Sequence, residues 1–343
     1  MVIIEVFKCE HCGAPLDVTP EDIIIVCPYC GYPNAYDKVF TEKNVFFVES
    51  LSKKEILRRF QERVQKDPDY RGIRGKIKVV KVEGYYVPLW LGIVEGRGNM
   101  RYIIYEKEGN NTKAVVKFKK FKMESLVCVP ARRNVYDPAV EELALKFERY
   151  GYLSFKRIED TLKYMMDVRP IGSLTPEKWE SLELAFLNAD FGKQYAKMAL
   201  SDRASDVAKE RRVPEDVELK FFKFEGDVKE IALVFYPLWK VYYDVEGGTY
   251  FVAYDGHYGK EVLAVEPVRL WRKIHYALVS LIGIAIAGFS LAIYGNFTYW
   301  EALVHAGKGG SVLFILPAIG TYFGFELARG YGKKVARDVR VER

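Results

Sequence analysis

Two apolar runs near the C-terminus restrict this chain most. Ile274 to Tyr294 reads IHYALVSLIGIAIAGFSLAIY, about 21 residues without a charged side chain, and Val312 to Ala328 follows after a polar break. A bilayer core about 30 Å thick takes roughly 20 apolar residues at 1.5 Å each. The first run is long enough. The second is shorter, with Pro317 inside it and Glu326 near its end. The expectation is a transmembrane hairpin over 269–332 and a basic tail over 333–343. That makes the lipid bilayer a partner and the cell membrane the location. Arg269, Arg272 and Lys273 precede the first run and Arg329, Lys333, Lys334 and Arg337 follow the second, while the loop between them has only Lys308. The positive-inside rule then puts both termini in the cytoplasm. Gly283, Ala287 and Gly288, with Gly320 and Gly324, are spaced for close helix packing. A buried hairpin in a soluble core is the alternative.

The N-terminus, MVIIEVFKCE, carries no signal-peptide pattern and runs straight into Cys9-Glu-His-Cys12-Gly, answered by Cys27-Pro-Tyr-Cys30-Gly. Two CxxC knuckles supply four thiolates, enough to close a tetrahedral zinc site. The expectation is one structural Zn2+ on Cys9, Cys12, Cys27 and Cys30 in a rubredoxin-like ribbon over 1–40. Two disulfides are the alternative and fit a cytoplasmic chain poorly. His11 reads as an exposed knuckle residue, and Cys128 as a small hydrophobe on a buried strand. No basic residue lies between Cys9 and Cys30, so the ribbon favours protein contact or capping over nucleic acid.

Behind the ribbon the pattern is α+β. Ser52-Lys-Lys-Glu55 is a capping box opening a connecting helix in the segment 41–71. Strand-like periodicity then fills 72–131 and 215–268, with a helical insert over 132–214 between them. Asp137-Pro138 and Thr175-Pro176 open helices in that insert. The two strand regions share a motif. Pro88-Leu89-Trp90 returns as Pro237-Leu238-Trp239 at an offset of 149, which also carries Gly98 onto Gly247 and Tyr102 onto Phe251. Each copy reads as an apolar strand, a glycine turn and an aromatic return strand, so two related antiparallel β units are expected.

Chemistry is sparse. The chain has four histidines and shows no phosphate loop, nucleophile elbow or zinc-protease motif. His257, in Asp255-Gly-His-Tyr258, reads as a turn residue. Lys113, Lys117, Lys119, Lys120 and Lys122 interleave with Phe118 and Phe121, and Arg211 and Arg212 end a helix. These form a candidate partner or single-stranded nucleic-acid surface, or a solvated strand face. Net charge is +6, charged residues make up 29% of the chain, and glutamine is scarce, a composition expected of a thermophile.

The order of these features resembles a family of membrane-anchored zinc-ribbon proteins of bacteria and archaea, often labelled TFIIB-type or primosomal helicase-like. The resemblance rests on the ribbon, Gly84-Tyr-Tyr-Val-Pro-Leu-Trp90, Val129-Pro-Ala-Arg-Arg133, Tyr236-Pro-Leu-Trp239 and Tyr250 to Lys260. Arg132 departs from the small residue usual in the family. The resemblance implies architecture and no activity. The resulting expectation is a non-enzymatic membrane-anchored adaptor or scaffold with a protein partner or a second copy of itself. A tethered nucleic-acid binder and an enzyme with an unrecognised site are the alternatives.

Overall fold

The computed structural model describes residues 7–19, 22–108, 111–132, 137–149, 157–266, 270–303 and 322–328. Element order is β1 (Ile24–Val26), β2 (Pro33–Ala35), α1 (Lys38–Asn44), β3 (Val45–Val48), α2 (Lys53–Lys66), β4 (Lys78–Glu108) and β5 (Asn111–Pro130). Then come α3 (Pro138–Arg149), α4 (Ile158–Met165), β6 (Val168–Pro170), α5 (Pro176–Glu180), β7 (Ala185–Phe186) and α6 (Lys193–Arg212). β8 (Glu218–Val245), β9 (Gly248–Asp255), β10 (Glu261–Val265) and α7 (Leu270–Leu303) complete it. The class is α+β, with a small β1-β2 sheet and a largely antiparallel eight-stranded sheet. The chain divides into two compact units. The first takes in the chain up to Arg63, Lys81–Val241 and Val252–Leu263, and the second Val64–Val80, Tyr242–Phe251 and Ala264 onward.

Local signals explain the element starts. Ser52 Oγ accepts from Glu55 N, Asp137 Oδ1 accepts from Ala139 N, and Asp37 Oδ1 accepts from Phe40 N to open α1. Two segments differ from expectation. The connecting segment contains β3, and the helical insert contains β6 and β7, all paired into the large sheet. These strands are too short to show a period in sequence; their partners define them.

In the first unit the repeat is deeper than the Pro-Leu-Trp motif. β3 pairs in parallel with β8, Phe46 opposite Val234 and Phe47 opposite Phe235. β7 pairs in parallel with β4, Ala185 opposite Tyr85 and Phe186 opposite Tyr86. At the offset of 149 Tyr85 and Tyr86 are the counterparts of Val234 and Phe235, so β3 and β7 are counterparts too. Each half therefore consists of a short strand, a helix and a long hairpin, and each short strand pairs with the long strand of the other half. Closing hydrogen bonds repeat as well. Ala131 N donates to Pro88 O (2.9 Å) and Gly256 N to Pro237 O (2.8 Å). Asp190 N donates to Ala131 O (2.8 Å) and Leu51 N to Gly256 O (2.7 Å). Phe47, Tyr86, Phe186 and Phe235 contact one another in series across this exchange, at ring separations of 6.3, 4.5 and 5.3 Å, the middle pair stacked and the outer two edge-on.

The glycine turn stands at its expected place in the second copy and not at Gly98 in the first. In the second copy Glu246 and Gly247, both at positive φ, turn the chain in two residues. In the first copy β4 runs straight through Gly96 and Gly98 to Glu108. A Cβ on Gly96 would come 2.3 Å from the Phe224 ring, and one on Gly98 2.3 Å from the Phe121 ring. These glycines make room for aromatic rings lying across the strand. The return strands consequently match at an offset of 125, Ala131 to Gly256, and not 149. The first hairpin is longer by the difference, 24 residues, which form an arm over about 98–121. The sequence pairing of Tyr102 with Phe251 does not hold.

The transmembrane hairpin is overturned, and with it the membrane location. No helix among the described residues is long and apolar enough to cross a membrane. Most of the second apolar run, with Gly320, and the basic tail lie outside the described residues. The close packing of small residues is present in the second unit. A Cβ on Gly283 would come 2.6 Å from Gly324 O, and one on Gly324 2.7 Å from Ala287 N. Gly288 faces open space. In the same unit Tyr70 Oη lies 3.0 Å from Tyr243 Oη and donates to Glu266 Oε1 at 3.3 Å.

Candidate metal centre and partner surface

Both knuckles fold around backbone bonds that turn the thiols toward one point. Gly13 N donates to Cys9 O at 2.9 Å and Gly31 N to Cys27 O at 2.8 Å, each glycine at positive φ. All four sulfurs lie within 4.8 Å of one another. Cys9 Sγ is 3.7 Å from Cys30 Sγ, and Cys12 Sγ is 3.7 Å from Cys27 Sγ. A tetrahedron with metal–sulfur bonds of about 2.3 Å has edges of about 3.8 Å, whereas a disulfide is about 2.05 Å. The spacing fits four thiolates around one ion and excludes the disulfide alternative; all five cysteines are free.

Electrostatics divides the thiols. Burial opposes ionisation of Cys9. The backbone N–H groups of Cys12 and His11, the Asn34 amide and the Cys30 thiol outweigh it and bring the thiol down to about 6. Burial, reinforced by the neighbouring cysteines, pushes Cys30 up to about 12 against the Tyr32 N–H. A cation at the centre would have to displace protons, so its binding should weaken in acid.

Sequence reasoning missed the residue that joins the knuckles. Asn34, fully buried, accepts from Glu10 N (2.8 Å) and donates to Tyr32 O (2.8 Å), Ile25 O (3.3 Å) and Cys9 Sγ (3.5 Å). His11, expected to be exposed, is half-buried. Its Nε2 lies 3.0 Å from Glu180 Oε1, and its ring packs 5.0 Å from Trp179 and 5.8 Å from Tyr32. Tyr32 Oη donates to Leu174 O, and Val26 N donates to Asn188 Oδ1. The ribbon is thus docked on the 174–188 segment. Trp179 of α5 covers the knuckles.

The motif tryptophans are buried inter-element contacts. Trp90 Nε1 donates to Phe191 O and Trp239 Nε1 to Ser50 Oγ. Leu89 and Leu238 are buried beside them, and Pro88 and Pro237 supply the closing carbonyls. Asp255 accepts from Tyr236 Oη, His257 N and Tyr258 N, which makes the His257 segment a capped turn. Cys128 is buried on β5, and burial pushes its thiol well up.

The basic strand does not act as one surface. Successive side chains of a strand alternate faces. Lys113, Lys117 and Lys119 lie on one face of β5, where Lys117 pairs with Glu106 at 3.3 Å. Lys120 and Lys122 lie on the other, with exposed Val116 and Phe118. Arg211 is half-buried and turned inward: it donates to Ser125 Oγ and Glu148 O. Arg212 donates to Lys122 O and lies over the Phe121 ring. Register reveals what spacing alone hid. Lys122 sits opposite Arg97, Lys120 opposite Asn99 and Phe118 opposite Arg101. β8 runs along the other edge of β4: Tyr105 Oη donates to Glu218 Oε2, and a Cβ on Gly96 would meet Glu225 O at 2.6 Å. That alignment sets Phe221 beside Arg101 and Lys223 beside Asn99, on the exposed face. Phe222 and Phe224 turn to the other face and stack on Phe121.

No family model matches the chain, and neither does any curated protein or solved structure. Fold and site define an α+β protein with a four-cysteine centre that could hold a metal ion such as zinc, consistent with a zinc ribbon. Of the family resemblance, that centre is the part the structure carries.

Proposed function

We propose that this chain is a non-catalytic adaptor. One structural Zn2+ orders its N-terminal ribbon, and its repeat-built body presents a binding surface to a macromolecular partner. A centre closed by four thiolates leaves no open position for a substrate, which supports a structural metal. The single observation carrying the adaptor reading is the arm. The internal repeat does not require it, yet it holds exposed Phe118, Val116 and Tyr105 in ordered sheet. Apolar side chains held out on a strand ribbon support a covered surface in the working assembly.

The test is a photo-crosslinking residue at position 118 in the full chain, expressed in its native host, with position 119 on the opposite face as control. A discrete adduct at 118 and not at 119 is the expected result. Adducts only with a second copy of the chain, or none at all, would sink the adaptor reading.

A further inference from the structure

We infer that the exposed face of the arm binds single-stranded nucleic acid, with Arg97, Arg101, Lys120 and Lys122 on the phosphates and Phe118 and Phe221 stacking on bases. The inference rests on the adaptor reading and names its partner class.

Charge is the first argument. Among the described residues, none of those four cations has a carboxylate partner within salt-bridge distance, whereas Lys81, Lys117, Arg203 and Lys223 each do. Lys120 lies 5.9 Å from the Phe118 ring. Near the tip Glu218 of β8 is engaged by Tyr105 Oη and Lys220, and the other acids lie at the base of the arm. Glu95 stands opposite Glu124, and Glu225 is paired with Lys223 at 2.6 Å. Beyond Arg97 toward the tip, the described residues of β4 and β5 on this face are Asn99, Arg101, Ile103, Tyr105, Ala114, Val116, Phe118 and Lys120, none acidic. An open cleft of about 630 Å³ lies along the same place, lined by Arg97, Asn99, Lys120, Lys122 and Lys223 and by one carboxylate, Glu225, with the Phe121 ring also reaching it.

Lysines on β5 have another ready explanation. Among the described residues β5 pairs only with β4, so it is a sheet edge there, and lysine is a common guard against edge-to-edge aggregation. That explanation does not reach Arg97 and Arg101. They sit on β4, which is flanked on both sides by β5 and β8 and has no free edge here. Nor does it reach Phe118, 60% exposed, and Phe221, 44% exposed, which flank Arg101 across the three strands. Exposed rings on an edge invite aggregation.

The rings choose the ligand. An acidic peptide would use the cations and leave two phenyl faces wet. A duplex would keep its bases stacked and out of reach. Unpaired bases offer π-faces to aromatic side chains while the backbone follows the cations. The platform is three strands wide, about 10 Å, and Arg97 to Ile103 spans about 20 Å. That accommodates about 4 nucleotides, the low end for sheet platforms of this kind.

The experiment is fluorescence anisotropy of a labelled 12-nucleotide oligothymidylate with the full, zinc-loaded chain across a salt series. Four phosphate contacts predict a slope of log K against log salt of about −3. Arg101→Gln should make the slope shallower by about 0.7. Phe118→Ser should weaken binding about 5- to 100-fold and leave the slope unchanged. The double variant Lys113→Gln/Lys119→Gln, on the opposite face, should change affinity less than twofold. If Phe118→Ser fails to fold, Phe221→Ser and Lys120→Gln/Lys122→Gln carry the same test. Absence of binding at low salt, or equal loss in the opposite-face variant, overturns the inference. A discrete protein adduct at position 118 without oligonucleotide binding overturns it while leaving the adaptor reading in place. Neither adduct nor binding removes both.

Discussion

Asn34→Ala should weaken metal binding at the four-cysteine centre without removing a ligand. Asn34 is completely buried and makes four contacts. Truncation leaves Glu10 N–H without its acceptor and withdraws the amide from Cys9 Sγ, Tyr32 O and Ile25 O. The Tyr32 carbonyl keeps Cys27 N at 2.9 Å, so its loss is partial. A buried donor left unmatched costs about 1–3 kcal/mol, and a bond to a charged sulfur contributes about 1.5–3 kcal/mol. Part of this is recovered by relaxation of a short, surface-exposed knuckle. A net loss of about 2 kcal/mol corresponds to roughly 30-fold in affinity, within the range for groups that orient metal ligands. Asn34→Asp should be worse than Ala. It retains the acceptor for Glu10 N–H but loses both donors and sets a carboxylate against four thiolates. The assay is a Co2+ absorbance titration of the full chain followed by zinc competition against a chromogenic chelator at fixed pH. An Ala variant within twofold of the parent, or an Asp variant tighter than Ala, would refute the view that Asn34 couples the knuckles.

Further outcomes follow from the same contacts. Cys27→Ser should abolish stoichiometric zinc, read by elemental analysis, and the parent should lose its metal on acidification because the thiols reclaim their protons. Gly96→Ala should destabilise by about 1–3 kcal/mol in urea unfolding, since the new methyl meets both a ring and the Glu225 carbonyl. Trp90→Ala and Trp239→Ala should each cost about 3–5 kcal/mol by the same measurement, matching their equivalent burial. The Asp37 carboxyl is held below its usual range, first by the Lys193 ammonium and then by Phe40 N–H. A depressed acid contributes stability above its unfolded value, about 4, and loses it as pH falls through the folded value. Asp37→Asn should therefore flatten the acid limb of the stability–pH curve below about pH 4 and change little in slope above it.

What could be read from sequence was what depends on residues close together in the chain. The CxxC pairs declare four ligands because knuckle geometry is local. Ser52, Asp137 and Thr175 declare helix starts because a cap bonds two or three residues on. Asn34 could not be read, since its partners come from Glu10, Ile25 and Tyr32 and nothing local marks it. The membrane reading failed because hydropathy counts residues, whereas a span requires one sufficiently long apolar helix. The lysine run misled for a related reason. A one-dimensional cluster of five becomes two faces once the strand pleats, and the missing cations, Arg97 and Arg101, belong to a strand more than 15 residues upstream of Lys120.

The repeat shows most sharply where local reading stops. Pro-Leu-Trp marks equivalent points on β4 and β8, but the equivalence of β3 and β7 rests on two-residue and three-residue pairings that cross between the halves. This exchange has an energetic consequence. Phe47 belongs to the first half and packs on Tyr86 of the same half, whose ring stacks on Phe186 from the second half, which meets Phe235. Neither half can complete this stripe alone, because the central Tyr86–Phe186 pair takes one ring from each half and each short strand pairs with the long strand of the other. The symmetric body is therefore a single cooperative core. The asymmetric additions, the ribbon docked through Trp179 and the arm beyond Arg97, are the parts that this core leaves free to carry a metal and a partner. A change in the arm should then alter binding while leaving the unfolding of the core in place, and a change at Phe186 should do the reverse.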